Sequence, residues 1–319
     1  MATAVATTTF RSPMLRLSLL MITWTGIAAF GLLVHHGMTF EFTSAATAVG
    51  TILLLCPFAV IFNRRGIAPF VNLLIGFLCM VAFNVFLSIL TYAGTPINAP
   101  LVDNWLMTFD SALGIHLPSI VAWAADHPTL KTVLDLVYPS VMFSTLLSLV
   151  VLGLDRNCWR LQEFILQFMI AGLLTTVVFF TLPAEGPFVA YGYDLRPDQQ
   201  RFLEHFHALR AGKFAHVSLD HLEGLITFPS FHTSWALLLA WSFRHYRWLC
   251  WPMLFLNLLV VASTLTTGWH YGSDVAGGIL VAAFAASVTH RLRPWLQSQL
   301  PADHCNSHAT PSCRWQSAC

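Results

Sequence analysis

Two short stretches of this chain hold residues whose types and spacing suit joint chemistry. In Gly268-Trp269-His270-Tyr271-Gly272-Ser273-Asp274 a histidine and a carboxylate stand four residues apart, a spacing that puts both on one face of a helix. A carboxylate one turn from an imidazole can hold one ring nitrogen and leave the other free as a nucleophile. In Phe228-Pro229-Ser230-Phe231-His232 a second histidine follows a proline and a serine. Proline suits the first turn of a helix, where its missing N–H has no partner in any case. A serine beside the unpaired N–H groups of a helix start suits an anion. The second histidine can protonate a leaving group. Nucleophile, orienting carboxylate, acid and anion seat are together the parts of phosphoryl transfer through a phosphohistidine. A lone histidine in such a place is more often an ordinary boundary residue, so the chemistry rests on the combination.

The elements that must position these residues are membrane helices. Of the 319 residues 56% are hydrophobic and 10% charged, against about 25% charged in an average soluble domain. Mean hydropathy is +0.66. Too few polar residues remain to cover a soluble surface, and the collagen-like, disordered and disulfide-framework classes are excluded as well. A net charge of +1 gives no case for nucleic acid as a partner. Crossing ~30 Å of hydrocarbon takes roughly 20 apolar residues, and eight apolar runs answer to that: 15–34, 45–62, 69–92, 132–154, 161–182, 230–247, 249–267 and 272–290. The expected fold is an all-α polytopic membrane helix bundle of about eight transmembrane helices. The first run has a possible signal-peptide cleavage site at Gly26-Ile27-Ala28, but its apolar character continues to Val34, and an uncleaved helix is expected.

Charge asymmetry orients the bundle. With the N-terminus in the cytoplasm, 11 of the 16 lysines and arginines fall inside and 5 outside, as the positive-inside rule requires. Both termini are then cytoplasmic, and His232, His270 and Asp274 share the extracytoplasmic face, although none of them was used to set the orientation. Two long outside loops follow, 93–131 and 183–229. Trp105, Phe109 and Leu113 in the first, and Phe202, Phe206 and Leu209 in the second, form helical apolar stripes that suit an interface. The seven cysteines avoid both loops, so no disulfide framework is expected. The terminal group His304, Cys305, His308, Cys313 and Cys319 has no zinc-finger spacing and reads as a frayed tail.

At these residues the sequence resembles the type 2 phosphatidic acid phosphatase superfamily of membrane lipid phosphatases and phosphotransferases. Its motifs are K-x6-R-P, P-S-G-H and S-R-x5-H-x3-D. Pro229-Ser230-Phe231-His232 matches the second, and Ser263 through His270 to Asp274 matches the third. The resemblance covers about 69–290 and implies a six-helix catalytic core over 69–295; the first two helices, over 1–68, form an N-terminal extension outside it, and 296–319 is expected as a disordered cytoplasmic tail. By resemblance His270 is the nucleophile, Asp274 orients it, His232 is the general acid, Ser230 holds a phosphate oxygen, and no metal or cofactor is needed. Three positions depart from the pattern: Thr264 stands for the arginine of the third motif, Phe231 for the glycine of the second, and Val189 for the lysine of the first, of which Arg196-Pro197 remains. A phosphate needs cationic or multiple N–H donors, and Arg196, Arg210 and Lys213 are the outside candidates. The bulky Phe-Pro-Ser-Phe-His and the His-Tyr-x-x-Asp look most like the branch containing inositol phosphorylceramide synthases. The resemblance implies a lipid phosphatase in the plasma or inner membrane, or a head-group phosphotransferase with a polyol or lipid acceptor. A non-catalytic lipid-binding or transport bundle is the reading from another class, and the intact Ser230, His232, His270 and Asp274 argue against it.

Overall fold

The computed structural model describes residues 12–155 and 157–299. Apolar runs close into helices because hydrocarbon offers no partner to a free backbone group. In chain order these are α1 (Pro13–His35), α2 (Ala46–Arg64), α3 (Ala68–Gly94), α4 (Asp103–Ala112), α5 (Leu117–Ala125), α6 (Pro128–Val137), α7 (Ser140–Gly153), α8 (Cys158–Thr181), α9 (Pro187–Ala190), α10 (Pro197–Arg210), α11 (Phe231–Ser242), α12 (Arg247–Thr266) and α13 (Gly272–Ser298). Among the described residues the strand content is one parallel pair, β1 (Thr39–Phe40) on β2 (His216–Val217). The all-α bundle expected from composition is the fold observed.

Among the described residues six segments are long and apolar enough to cross a membrane: 13–35, 42–64, 68–97, 158–181, 247–266 and 272–298. The other two expected spans differ. Over 132–154 the chain forms α6 and α7, bent by 41°, which together are long and apolar enough to be one broken span. Pro139 is the cause, since it carries no N–H to continue the ladder of α6. Over 230–247 the helix stops early. The twelve residues of α11 reach about 18 Å at 1.5 Å each, short of the ~30 Å core. Eight of the twelve are buried, because α7, α8, α12 and α13 pack around α11. It is an inner helix of the bundle, so its ends can lie at membrane depth within protein.

The main core joins Phe83 of α3, Phe164 and Phe168 of α8, and Trp235 and Leu239 of α11, with Leu15 and Ile22 of α1 in the same cluster. The first helix thus packs into the core, whereas in α2 Ala59 is the buried residue and the helix packs against α3, where Phe62 stacks on Phe70. At the C-terminal end of α11, Arg244 pairs with Glu163 at 2.9 Å, and Arg160 pairs with Asp155 at 2.7 Å. These arginines stand at the end of α11 opposite Ser230 and His232. Cys56, Cys79 and Cys158 form no disulfide. Helix α13 runs to Ser298, so the first residues of the expected tail are helical. The terminal Cys/His group lies outside the described residues.

The two long loops are built differently from each other. In α10, Phe202, Phe206 and Leu209 are all fully buried, so that stripe is core. In α4 the pattern is inverted: Trp105, Phe109 and Leu113 are 73%, 54% and 57% exposed, while Asp110 is buried. An apolar face turned outward with a carboxylate turned inward suits a helix lying in a lipid interface.

Candidate active site

The site forms where the short loop between α12 and α13 meets the N-terminus of α11. Gly268, at φ +74°, makes the turn out of α12 that a side chain would strain. The His270 N–H then donates to the Thr264 carbonyl at 3.2 Å. His270 precedes α13 instead of lying in it. Asp274, in the first turn of α13, reaches back: its Oδ2 accepts from the Tyr271 N–H at 2.9 Å and from His270 Nδ1 at 3.2 Å. The four-residue spacing therefore works as a helix-start hydrogen bond, not as a shared helix face. Asp274 Oδ1 is buried without a partner.

The orientation of His270 does not depend on Asp274 alone. His270 Nδ1 also lies 2.9 Å from the Thr227 carbonyl oxygen. A carbonyl can only accept, so Nδ1 carries the proton and Nε2 keeps its lone pair. Thr227 is itself held by its hydroxyl donating to the Ala184 carbonyl at 2.5 Å. Burial pushes the His270 imidazole down, to about 4, with the Thr227 bond acting the other way. The ring is therefore neutral at physiological pH, the form in which Nε2 has its lone pair.

Ser230 is the N-cap of α11. Its Oγ accepts from the Thr233 N–H at 3.3 Å and the Thr233 hydroxyl at 3.1 Å, satisfying a helix-start donor. Its own N–H donates to the Asp274 carbonyl at 3.0 Å, so the two motifs are joined directly. Gly277 and Gly278 make this approach possible. A Cβ on Gly278 would lie 2.5 Å from the Ser230 carbonyl oxygen, and one on Gly277 would lie 2.8 Å from the Pro229 Cβ. The result is that His232, in the first turn of α11, has its ring 6.3 Å from that of His270, centroid to centroid. Tyr138 stacks on His232 at 4.6 Å, with its hydroxyl 3.2 Å from Nδ1.

The sequence reading missed the supports. Every residue from 269 to 273 is tied down. Trp269 packs on Phe188 and Phe202. Tyr271 is fully buried and donates its hydroxyl to Asp103 at 3.0 Å. The N–H groups of Gly272 and Ser273 donate to the two oxygens of Asp110, both at 2.7 Å. Asp103 also accepts from the N–H groups of Glu185 and Gly186 at 3.0 and 2.9 Å. The inverted pattern of α4 carried a signal, because Asp103 and Asp110 lie seven apart on the face opposite the apolar stripe. Removing the Asp110 carboxylate strands two buried donors at the helix start. Asp110→Ala should lower stability in detergent by about 2 kcal/mol and Asp110→Asn by less, since one oxygen still accepts. A loss below about 0.5 kcal/mol for alanine, read by thermal unfolding, would show that this carboxylate does not hold the loop.

The cationic candidates separate. Arg196 bonds Asp135 and Asp198, both at 3.3 Å, and Asp135 lies one turn before Tyr138. Arg196 thus stands beside the element that carries a residue touching His232. Arg210 donates to the Ala99 carbonyl at 2.9 Å and lies over the Phe206 ring, and Lys213 is exposed just past α10. Neither hydrogen-bonds to Ser230, His232, His270 or Asp274. Thr264, in the place of the motif arginine, is buried with its hydroxyl bonded to the Val261 carbonyl at 2.7 Å, so its side chain serves its own helix. Among the described residues no cluster of three His, Cys, Asp or Glu could hold a metal ion.

A family model described as the PAP2 superfamily matches residues 104–288, a stretch that runs from α4 into α13 and contains all four motif residues. It starts later than the resemblance read from residue 69, leaving α3 outside. No curated protein and no solved structure matches the chain.

Proposed function

This chain belongs to the PAP2 superfamily, and on that premise we propose that it cleaves a lipid phosphate ester through a phosphohistidine at His270. The family and the membrane helices make it an integral membrane protein of lipid-phosphatase type. The observation that carries the finer reading is the double acceptance at His270 Nδ1, by Thr227 and Asp274, which leaves Nε2 as a free lone pair near the His232 ring.

The steps balance. Nε2 of His270 attacks phosphorus, the ester P–O bond breaks, and the leaving oxygen takes a proton from His232. An acceptor hydroxyl then attacks phosphorus, His232 takes its proton, and the P–N bond breaks. Water as acceptor gives a phosphatase. A polyol or a lipid alcohol gives a phosphotransferase. Phosphate oxygens would meet the Ser230 hydroxyl and the first N–H groups of α11, which have no partner within the helix, with Arg196, paired to Asp135 one turn before Tyr138, as the proposed cation. Arginine asymmetry supports an extracytoplasmic site.

Purified protein incubated with phosphoryl-labelled lipids, with and without polyol and sphingolipid acceptors, should release inorganic phosphate. Label appearing on the acceptor would make the protein a transferase, and an unchanged panel would remove the catalytic reading in favour of a lipid-binding bundle. For the side of the membrane, a cysteine replacing Gln200 or Asp220 should react with an impermeant thiol reagent in intact cells, and one replacing Asn157 should not. The reverse labelling would invert the orientation.

A further inference from the structure

Tyr138 sits at the break between α6 and α7, where Pro139 bends the chain. The bend brings its ring face to face with His232, at 4.6 Å and 27°, and its hydroxyl to 3.2 Å from His232 Nδ1. The end of α6 is anchored in turn, because Asp135 pairs with Lys131 at 2.8 Å and with Arg196 of α10. Stacking fixes the plane of the imidazole, and the hydrogen bond fixes its rotation within that plane. Ring flipping, which would put a carbon where each nitrogen stands, is opposed by both.

We propose that Tyr138 is the positioning residue of the proposed general acid: its oxygen accepts the Nδ1–H of His232 and reserves Nε2 for proton transfer. This rests on the phosphohistidine reading of the site. A phenol can donate or accept, so distance alone leaves the direction open, and the chemistry decides it. To protonate a leaving oxygen, His232 must be an imidazolium with protons on both nitrogens. Nδ1–H is held by Tyr138, and the proton that leaves is on Nε2. The neutral ring that results keeps Nδ1–H on the same oxygen, and its Nε2 lone pair is then the base that takes the proton of the acceptor. If the hydroxyl instead donated to Nδ1, the neutral ring would carry its proton on Nε2 and could not act as that base.

Tyr138→Phe in the full-length protein keeps the ring and the stack and removes only the oxygen. Turnover of an alkyl phosphate ester should fall about 10-fold, the size of one lost hydrogen bond to an ionised ring, while an activated aryl ester keeps a rate near wild type. In ¹⁵N-histidine NMR, neutral His232 should be the Nδ1–H tautomer in the wild type and a mixture in Tyr138→Phe. Unchanged alkyl turnover with an unchanged tautomer would overturn the proposal. So would an equal loss on both esters with lower detergent stability, which is the mark of a packing role. His270→Ala in parallel separates the two readings. If that variant stays active the phosphohistidine route fails, while the tautomer measurement still decides whether Tyr138 holds His232.

Discussion

His270→Ala should abolish turnover, by about 10⁴-fold or more, and should remove any acid-labile phosphoenzyme. The residue is 2% exposed, and its ring lies 6.3 Å from that of His232 in the first turn of α11. Alanine leaves the Asp274 and Thr227 oxygens without their common donor, so a modest loss of stability is expected alongside, and the phosphoenzyme assay is the readout that does not depend on it. Asp274→Asn gives a graded outcome that the structure makes specific. Where a carboxylate alone sets the tautomer of a catalytic histidine, its amide costs about 10⁴-fold. Here the Thr227 carbonyl also holds Nδ1–H at 2.9 Å, so the tautomer survives and the loss should be nearer 10²-fold, reflecting the missing charge alone. A fully active His270→Ala protein would end the phosphohistidine reading. A collapse of Asp274→Asn to the level of His270→Ala would show that Thr227 does not share the orienting role.

The second large effect falls on His232 and depends on the leaving group. An alkoxide is a strong base and needs a proton as the P–O bond breaks, whereas an activated aryl ester expels a weak base and needs little help. His232→Ala should lose about 10²–10⁴-fold on a lipid ester and far less on the aryl ester. Arg196 is proposed only to hold the phosphate, so Arg196→Ala should weaken both substrates by similar factors, and Arg210→Ala and Lys213→Ala should do so less, given where their side chains lie. Equal losses on both esters in a His232→Ala protein of unchanged stability would leave His232 as at most a phosphate contact.

The sequence made the membrane helices and the motif residues legible for a local reason. A run of about 20 apolar residues needs no distant partner to declare itself, and the glycine and proline punctuation around His270 and His232 marks turns within a few residues. Its misreadings were also local. A continuous apolar run cannot show that Pro139 splits it into α6 and α7, nor that α11 ends at Ser242 and is enclosed by four neighbouring helices. The stripe of Trp105, Phe109 and Leu113 reads as interfacial and is exposed, but the inward aim of Asp103 and Asp110 on the opposite face was not read.

By itself, then, the sequence determined the all-α membrane architecture and the pairing of His270 with Asp274, because hydropathy and a spacing of four residues are short-range properties. Only the tertiary structure decided what holds these groups in place. Thr227 meets His270 across 43 residues, Tyr138 meets His232 across 94, and Asp110 meets Gly272 across 162. A hydrogen-bond acceptor or a stacking ring carries no mark of its partner along the chain. Its role comes into being when the bent α6–α7 pair, the inverted α4 and the close approach at Gly277 and Gly278 bring it within a few ångströms of the histidines.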